Sequence, residues 1–119
     1  MEKILAGVVQ FHETLSSSEL PEFARLVEEG QTPIALFITC ADSRIVPNAI
    51  TNTTYGDLFL IRNIGNIVPS YESLKEGGAD TSVAAALEYS LNVLNIKNIS
   101  SSPKSRDGFM RQKVVSIAR

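Results

Sequence analysis

The sequence predicts an α/β protein with a doubly wound, mostly parallel sheet that is flanked by helices and truncated after about three strands. Near-continuous apolar runs of strand length cover residues 33–39 and 58–62, and a third strand is predicted to begin at residue 96. Such runs are typical of strands that are buried on both faces of a parallel sheet. Segments with helical periodicity alternate with the strands, and this alternation is the pattern of doubly wound folds.

The helices are predicted from apolar residues that recur at helical spacing. They recur over about the first dozen residues and again over residues 19–29, where Gly30 is expected to end the helix. A further helix is predicted from about residue 81 to residue 91, with an apolar stripe that faces the core. Residues 45–54 are predicted to form a loop with a short helical turn, because a proline and several threonines disfavour longer regular structure there.

The last segment of the chain breaks this alternation. Residues 100–108 are rich in serine and charged side chains, and residues 110–118 offer only a weakly amphipathic pattern that predicts a short helix. We therefore expect one α/β domain over residues 1–99 and a divergent tail over residues 100–119, formed by a loop and a short helix. A sheet that stops at its third strand would leave that strand exposed at an edge.

Composition places the chain among soluble globular proteins. Of its 119 residues, 44% are hydrophobic and 20% are charged, and the mean hydropathy is +0.06. A formal charge of -2 and a pI near 5.4 argue against a nucleic-acid partner, which requires a basic face. No apolar run is long enough to span a membrane, no signal peptide is recognised, and the single cysteine cannot form an intrachain disulfide. These features predict a cytoplasmic protein without a membrane partner.

A thiol, a carboxylate and a guanidinium follow the first predicted strand directly, in the run Cys40-Ala41-Asp42-Ser43-Arg44. Open α/β sheets build their sites outside the carboxyl ends of their strands. Cys40 can bind zinc as a thiolate, Asp42 can ligate a metal or accept a proton, and Arg44 can hold Asp42 ionised through a bidentate pair. The sequence therefore predicts a site at this strand end, with Cys40 and Asp42 as metal ligands.

Three motifs resemble the N-terminal part of the β-class carbonic anhydrases. They are the run from Cys40 to Arg44, the segment Gly56-Asp57-Leu58-Phe59-Leu60-Ile61-Arg62-Asn63-Ile64-Gly65-Asn66, and the helix from Gly77-Gly78 to Leu94 that leads into Lys97-Asn98-Ile99. The likeness covers roughly residues 1–99 and is specific, because a C-x-D-S-R run followed by a G-D-x-F-x-x-R-N strand is hard to assemble by chance.

The resemblance implies a zinc enzyme that hydrates carbon dioxide reversibly to bicarbonate. It implies that Cys40 is a zinc ligand, that the catalytic pair Asp42 and Arg44 gates the fourth position of the metal, and that Gln31 binds the substrate. In that family a zinc-bound water with its pKa lowered to about 7 attacks carbon dioxide as hydroxide. The implied partners are carbon dioxide and bicarbonate. Because the family uses its first helix, which carries His12 here, to pack subunits together, we also expect a homo-oligomer, namely a dimer.

Two zinc ligands of that family are missing from the pattern. The family supplies a histidine and a second cysteine, spaced H-x-x-C, after the third strand, whereas a gapless comparison puts Lys104 and Asp107 at those places. A protonated lysine has no lone pair to give, and an aspartate is a harder ligand than a thiolate. We therefore predict that zinc is weakly bound or absent and that this chain has little or no activity. Cys40, Asp42 and Asp107 with a water would make an unusual but permissible site.

Two other functions stay open on the sequence. One is a catalytically inactive interaction module that dimerises, with itself or with an intact relative, through its first helix and its exposed third strand. The other is thiol chemistry at Cys40, activated by Arg44, although Asp42 would place an anion where an anionic substrate would sit. Arg62 also has two interpretations, either an internal ion pair at a strand end or, by resemblance, a part of the pocket wall.

Overall fold

The computed structural model describes residues 1–17, 20–77, 81–101 and 113–116. The chain forms two compact units, Met1–Gln31 and Thr32–Arg119. Among the described residues, none of the helices combines the length and the apolar character that crossing a bilayer requires. The predicted division into residues 1–99 and 100–119 stays a prediction.

The first unit consists of two helices, α1 (Glu2–Ser16) and α2 (Pro21–Glu29). Phe11 of α1 and Phe23 of α2 meet edge to face, with ring centroids 5.8 Å apart and ring planes at 87°, which joins the two helices. Gly30 ends α2 with a φ of 83°, and its N–H donates to the Leu26 carbonyl. Both predicted helices are confirmed, including the glycine that stops the second, because only glycine adopts this backbone conformation without strain.

In its described residues, the second unit contains a four-stranded sheet and three α-helices. Its elements in chain order are β1 (Ala35–Cys40), α3 (Pro47–Thr51), β2 (Leu58–Asn63), a 3₁₀ turn (Ile64–Asn66), α4 (Tyr71–Lys75), α5 (Ser82–Asn92), β3 (Asn98–Ser101) and β4 (Lys113–Ser116). The predicted strands, the short helical turn after β1 and the helix before β3 are all present. Helix α4 was not predicted. Its start is defined by Ser70, whose side chain accepts a hydrogen bond from the Ser73 N–H.

The strands are ordered β2-β1-β3-β4, so β1 lies inside the sheet. β1 pairs in parallel with β2 from Ala35↔Leu58 to Cys40↔Asn63 and in parallel with β3 from Leu36↔Ile99 to Ile38↔Ser101. The predicted α/β class and mostly parallel sheet are therefore confirmed. The parallel part has three strands, as expected, and β1 pairs with β2 at one edge and with β3 at the other.

Strand β4 corrects two predictions about the end of the chain. Residues 113–116 form a strand and not part of a short helix, because Lys113-Val114-Val115-Ser116 pairs antiparallel with β3 from Ser101↔Lys113 to Asn98↔Ser116. Adjacent β-branched residues favour a strand over a helix. β3 is consequently not the exposed edge that the sequence predicted, since β1 and β4 flank it. The rest of the predicted tail, residues 102–112 and 117–119, lies outside the described residues.

One apolar cluster of the second unit lies on one face of the sheet, and Phe37, which is 1% exposed, is buried on the opposite face. Leu36, Ile38 and Ile96 are 0%, 2% and 4% exposed and pack together. Partly buried apolar side chains from β2, α5, the segment after α5 and β3 close around them, namely Phe59, Ile61, Leu87, Leu94 and Ile99. Burying a side chain of this size contributes about 1.5–3 kcal/mol. The packing fixes α5 against the sheet and, through β1, fixes the position of the strand end where the polar groups follow.

Candidate functional site

The strand order places a topological switch point at the carboxyl end of β1. The chain passes from β1 to β2 on one side and then returns to β3 on the other side of β1. The connections after β1 and β2 therefore diverge, and open α/β sheets bind their ligands in the crevice that this leaves. Cys40 is the last residue of β1, so the run of polar residues that follows begins at this crevice.

Cys40 is nearly buried, with 7% of its surface exposed. Its register partner in β2 is Asn63, and the Ala41 N–H donates to the Asn63 carbonyl at 2.9 Å, which extends the pairing one residue past the strand. Residues that pair across a sheet share a face, and successive residues alternate between faces. The Cys40 side chain therefore lies on the face that carries Leu36 and Ile38, at the end of the apolar core.

Arg44 holds the Asp42 carboxylate at both oxygens. The Arg44 Nε donates to Asp42 Oδ1 at 2.9 Å, its Nη2 donates to Oδ2 at 2.7 Å, and its backbone N–H donates to Oδ1 at 3.0 Å. The hydrogen bond that Arg44 donates to Asp42 raises the pKa of the Arg44 guanidinium above its ordinary value, and the carboxylate charge adds to this effect. The bidentate pair predicted from the sequence is therefore present. The Asp42 side chain is 16% exposed and the Arg44 side chain is 74% exposed.

Arg62 makes contacts that the sequence did not predict. Its guanidinium donates to three main-chain carbonyls, those of Cys40 at 3.2 Å, Asp42 at 3.0 Å and Ile45 at 3.0 Å. The internal ion pair considered for Arg62 is not what the structure shows, since these acceptors are carbonyls. One signal was available in the sequence, because an arginine at the end of the second parallel strand reaches the same edge of the sheet as the loop after the first.

The loop after β2 is held by the Asn63 side chain. Asn63 Nδ2 donates to the Ile67 carbonyl at 2.7 Å, and Asn63 Oδ1 accepts from the Ile67 N–H at 2.7 Å. Between them the chain makes a tight turn in which Gly65 and Asn66 have φ values of 78° and 64°. Asn66 then donates to Ser101 Oγ of β3 at 2.9 Å. These bonds tie the ends of β2 and β3 together across the end of β1.

The described residues do not by themselves fit a zinc ion. A catalytic zinc site holds three protein ligands and one open position. Cys40 and Asp42 provide a thiol and a carboxylate, but both oxygens of the carboxylate already accept hydrogen bonds from Arg44. Among the residues that the structure describes, no three His, Cys, Asp or Glu side chains are grouped closely enough to hold a metal. Lys104 and Asp107, at the places of the two other ligands, lie outside the described residues.

The remaining predicted site residue lies in the other compact unit. Gln31 is exposed and ends the unit formed by Met1–Gln31, which also contains His12. The structure brings Cys40, Asp42 and Arg44 together at one strand end, within a few residues of one another. The role of Gln31 toward a substrate stays a prediction, as do the roles assigned to the other three side chains.

A small apolar cavity opens beside this strand end. It has a volume of about 220 Å³ and is lined by Asn63, Ile64, Ile67, Pro69 and Val83. Asn63 is the register partner of Cys40. A larger cavity of about 480 Å³ lies between α3 and β2 and is lined by Leu58, the first residue of β2. Because a strand of this length separates its two ends by roughly 16 Å, the smaller cavity is the one near the polar residues.

Comparison with known proteins identifies the family. The family described as carbonic anhydrase matches residues 35–100, which is more than half of the chain. The match includes β1, the loop with Cys40, Asp42 and Arg44, and β2 with its following turn. This chain belongs to the β-class carbonic anhydrase family. The resemblance drawn from the sequence motifs is thus confirmed, and it rests on the same residues that form the strand-end site.

Individual relatives agree with this assignment. The carbonic anhydrase of Synechocystis sp. is 42% identical over 111 residues, which cover 93% of this chain and 38% of that relative. The solved structure of the β-carbonic anhydrase CcaA superimposes with a TM-score of 0.70 at 44% identity, over 83% of this chain and 42% of that chain.

A more distant structure shares the same fold. A tetrameric β-carbonic anhydrase from Sordaria macrospora superimposes with a TM-score of 0.61 at 26% identity, over 82% of this chain and 47% of that chain. The chain spans less than half the length of each of these three proteins.

Proposed function

We propose that the chemistry for which this strand-end site is built is the reversible hydration of carbon dioxide to bicarbonate, with zinc as the cofactor. The observation that carries the proposal is the geometry at the switch point, where the Cys40 thiol is nearly buried and Arg44 holds both oxygens of Asp42 two residues away. Cys40 is the proposed zinc ligand, and Asp42 and Arg44 are the proposed catalytic pair. Gln31 is the proposed substrate-binding residue.

The surroundings suit a small uncharged substrate. The walls of the cavity beside Asn63 are formed mainly by Ile64, Ile67, Pro69 and Val83, which offer no charge. Carbon dioxide has no net charge, no hydrogen to donate and only weakly accepting oxygens, so apolar walls exclude water at little cost to the substrate. The proposed setting is the cytoplasm, a reducing compartment that suits a chain whose single cysteine cannot form an intrachain disulfide.

We further propose that the 119-residue chain on its own binds zinc weakly and has little or no activity. Arg44 competes with any metal for the Asp42 carboxylate, because the bidentate contact uses both oxygens. Among the described residues, no three His, Cys, Asp or Glu side chains are grouped closely enough to hold a metal, and a zinc ion held by fewer than three protein ligands is weakly bound.

The decisive experiment restores the two missing ligands. Zinc content by elemental analysis and carbon dioxide hydration by stopped flow are measured on the unmodified chain and on the double variant Lys104→His, Asp107→Cys. The unmodified chain should contain well under one zinc per chain, and the double variant should approach one. Adding Cys40→Ser to the double variant should remove the gained zinc, because that change takes away the first ligand.

Two results would overturn the proposal. One zinc per unmodified chain together with brisk turnover would show that the chain needs no further ligands. A double variant that gains zinc and keeps it after Cys40→Ser would show that Cys40 is not a ligand. Circular dichroism of each variant serves as the control that the fold is retained.

The exposed apolar residues of α1 favour a second function, a catalytically inactive interaction module. Ile4, Leu5, Val8 and Val9 are each exposed by more than half, and a helix stripe of this kind is typical of an interface. The relative from Sordaria macrospora is described as tetrameric, and we propose a homodimer here. Sedimentation equilibrium at micromolar concentration measures whether the chain dimerises. A stable monomer that also forms no complex with a full-length relative would remove the support for an interaction module.

A further inference from the structure

We propose that Arg62 is a positioning residue that fixes the main-chain path of the loop from Ala41 to Ile45 and thereby aims the Asp42 carboxylate at Arg44. One guanidinium binds the carbonyls of Cys40, Asp42 and Ile45 at 3.2, 3.0 and 3.0 Å. These acceptors stand at the end of β1, within the loop and at the end of the loop. A single rigid fork therefore defines the curvature of the whole segment.

The loop backbone is not held by regular secondary structure, which is absent between β1 and α3. Other hydrogen bonds of its main-chain groups join the Ala41 N–H to the Asn63 carbonyl, the Ile45 N–H to the Asp42 carbonyl and the Arg44 N–H to Asp42 Oδ1. The Asp42 carbonyl thus accepts from both Ile45 and Arg62. Without Arg62, the Cys40 and Ile45 carbonyls would lose the charged donor that the structure gives them, and such a loss is costly for partly buried groups.

Arg62 acts from the opposite face of the sheet. Its register partner is Thr39, whereas the partner of Cys40 is Asn63. Since successive residues alternate between faces, the side chains of Arg62 and Cys40 leave the sheet on opposite sides. The bonds that Arg62 donates end on main-chain oxygens and not on the thiol or the carboxylate. In the contacts that the structure describes, Arg62 therefore acts on the proposed site through the main chain of the loop, by direct hydrogen bonds to it.

The position requires arginine for a geometric reason. Nε reaches one carbonyl while Nη2 reaches two others, which uses the planar spread of the guanidinium. A lysine ammonium is a single point and cannot occupy both places at once. Arg62→Lys should keep part of the effect and Arg62→Met should lose it. Arg25→Met is the matched control because, among the described residues, Arg25 forms its ion pair with exposed Glu29 of α2 and not with the loop.

The test is amide hydrogen exchange, followed by NMR on the whole metal-free chain. The N–H groups of Arg44 and Ile45 donate to Asp42 Oδ1 and to the Asp42 carbonyl, so they report the loop geometry directly. In Arg62→Met their exchange should accelerate by about tenfold or more, while the β1 amides of Phe37 and Ile38 should change by less than about twofold. Arg62→Lys should lie between, and Arg25→Met should match the unmodified chain.

Two results would overturn this assignment. Protection of Arg44 and Ile45 that is unchanged in Arg62→Met would show that the loop does not depend on Arg62. An equal acceleration in β1 would show that Arg62 stabilises the sheet as a whole. Should Arg62→Met not fold, the same comparison in Arg62→Lys decides.

Any effect of Arg62 on catalysis rests on the proposed function. A separate measurement therefore distinguishes a failure of the proposed function from a failure of the role assigned to Arg62. Titration of the double variant Lys104→His, Asp107→Cys with Co²⁺, with and without Cys40→Ser, reports through the thiolate-to-metal absorbance on Cys40 as a metal ligand. If that absorbance is the same with and without Cys40→Ser, the proposed function loses its first ligand, whereas the exchange comparison still decides the role of Arg62.

Discussion

Replacing Gly65 by alanine tests whether the turn after β2 depends on a left-handed backbone. Gly65 has a φ of 78°, and a Cβ placed on it would lie 3.7 Å from Ile67 Cγ1 and 3.9 Å from Ile67 Cδ1. Both distances are ordinary van der Waals contacts, so no steric overlap is created. The cost therefore comes from backbone strain, about 1–2 kcal/mol for a residue with a Cβ in this conformation. The less flexible unfolded chain of the variant offsets about 0.4–1 kcal/mol of that strain.

The net expectation is a loss of about 1 kcal/mol in the free energy of unfolding of the second unit. Urea denaturation followed by fluorescence of the tyrosines measures it, with an unchanged slope as evidence that the unfolded state is the same. Gly65→Asn is the matched variant and should cost less, because asparagine tolerates this conformation, as Asn66 does with a φ of 64°.

A second glycine provides a control of opposite sign. Gly7 lies within α1, and a Cβ there would meet nothing within 4 Å. Gly7→Ala should therefore increase the helical stability of α1 by about 0.5–1 kcal/mol, measured by far-UV circular dichroism. A Gly65→Ala variant as stable as the unmodified chain would show that the turn carries no such strain. A loss above about 3 kcal/mol would show that something other than backbone strain is disturbed.

Two further predictions concern the strand-end site. Asn63→Ala removes both hydrogen bonds to Ile67, so amide exchange at Ile67 should accelerate by about tenfold, and an unchanged rate would contradict the proposed bracing of the turn. The pKa of Arg44 is higher in the folded chain than in the unfolded chain. The pair with Asp42 therefore stabilises the fold at every pH below the ordinary arginine pKa. This stabilisation is lost only when the pH rises through the pKa that Arg44 has in the folded chain. The ¹³C chemical shift of the Asp42 carboxyl group should therefore stay constant from about pH 7 to 11 in the metal-free chain. In Arg44→Lys the same shift should change in a step near the lysine pKa of about 10.4. A step in the unmodified chain would contradict the pairing of Asp42 with a permanently charged Arg44.

The sequence anticipated those features that depend on local pattern. Residues 33–39 are almost entirely apolar, which is why the buried central strand was predicted to within about one residue at its carboxyl end. The bidentate pair of Asp42 and Arg44 was also predicted, because two residues of separation in a tight loop bring the two side chains within reach. Features that depend on long-range pairing were not predicted. Strand β4 and helix α4 are short, and pairing with β3 rather than local periodicity makes residues 113–116 a strand.

The amino-acid sequence by itself determined the fold class, the family and the identity of the strand-end residues, because each follows from hydrophobic period and from the order of chemical groups along the chain. Only the tertiary structure decided that β1 lies between β2 and β3, which converts the end of β1 into a switch point. It also decided that Arg62, distant along the chain, binds the carbonyls of Cys40, Asp42 and Ile45. The physical reason is that parallel pairing brings the ends of separate strands to one edge, and no local pattern records which main-chain oxygens a long side chain will meet there.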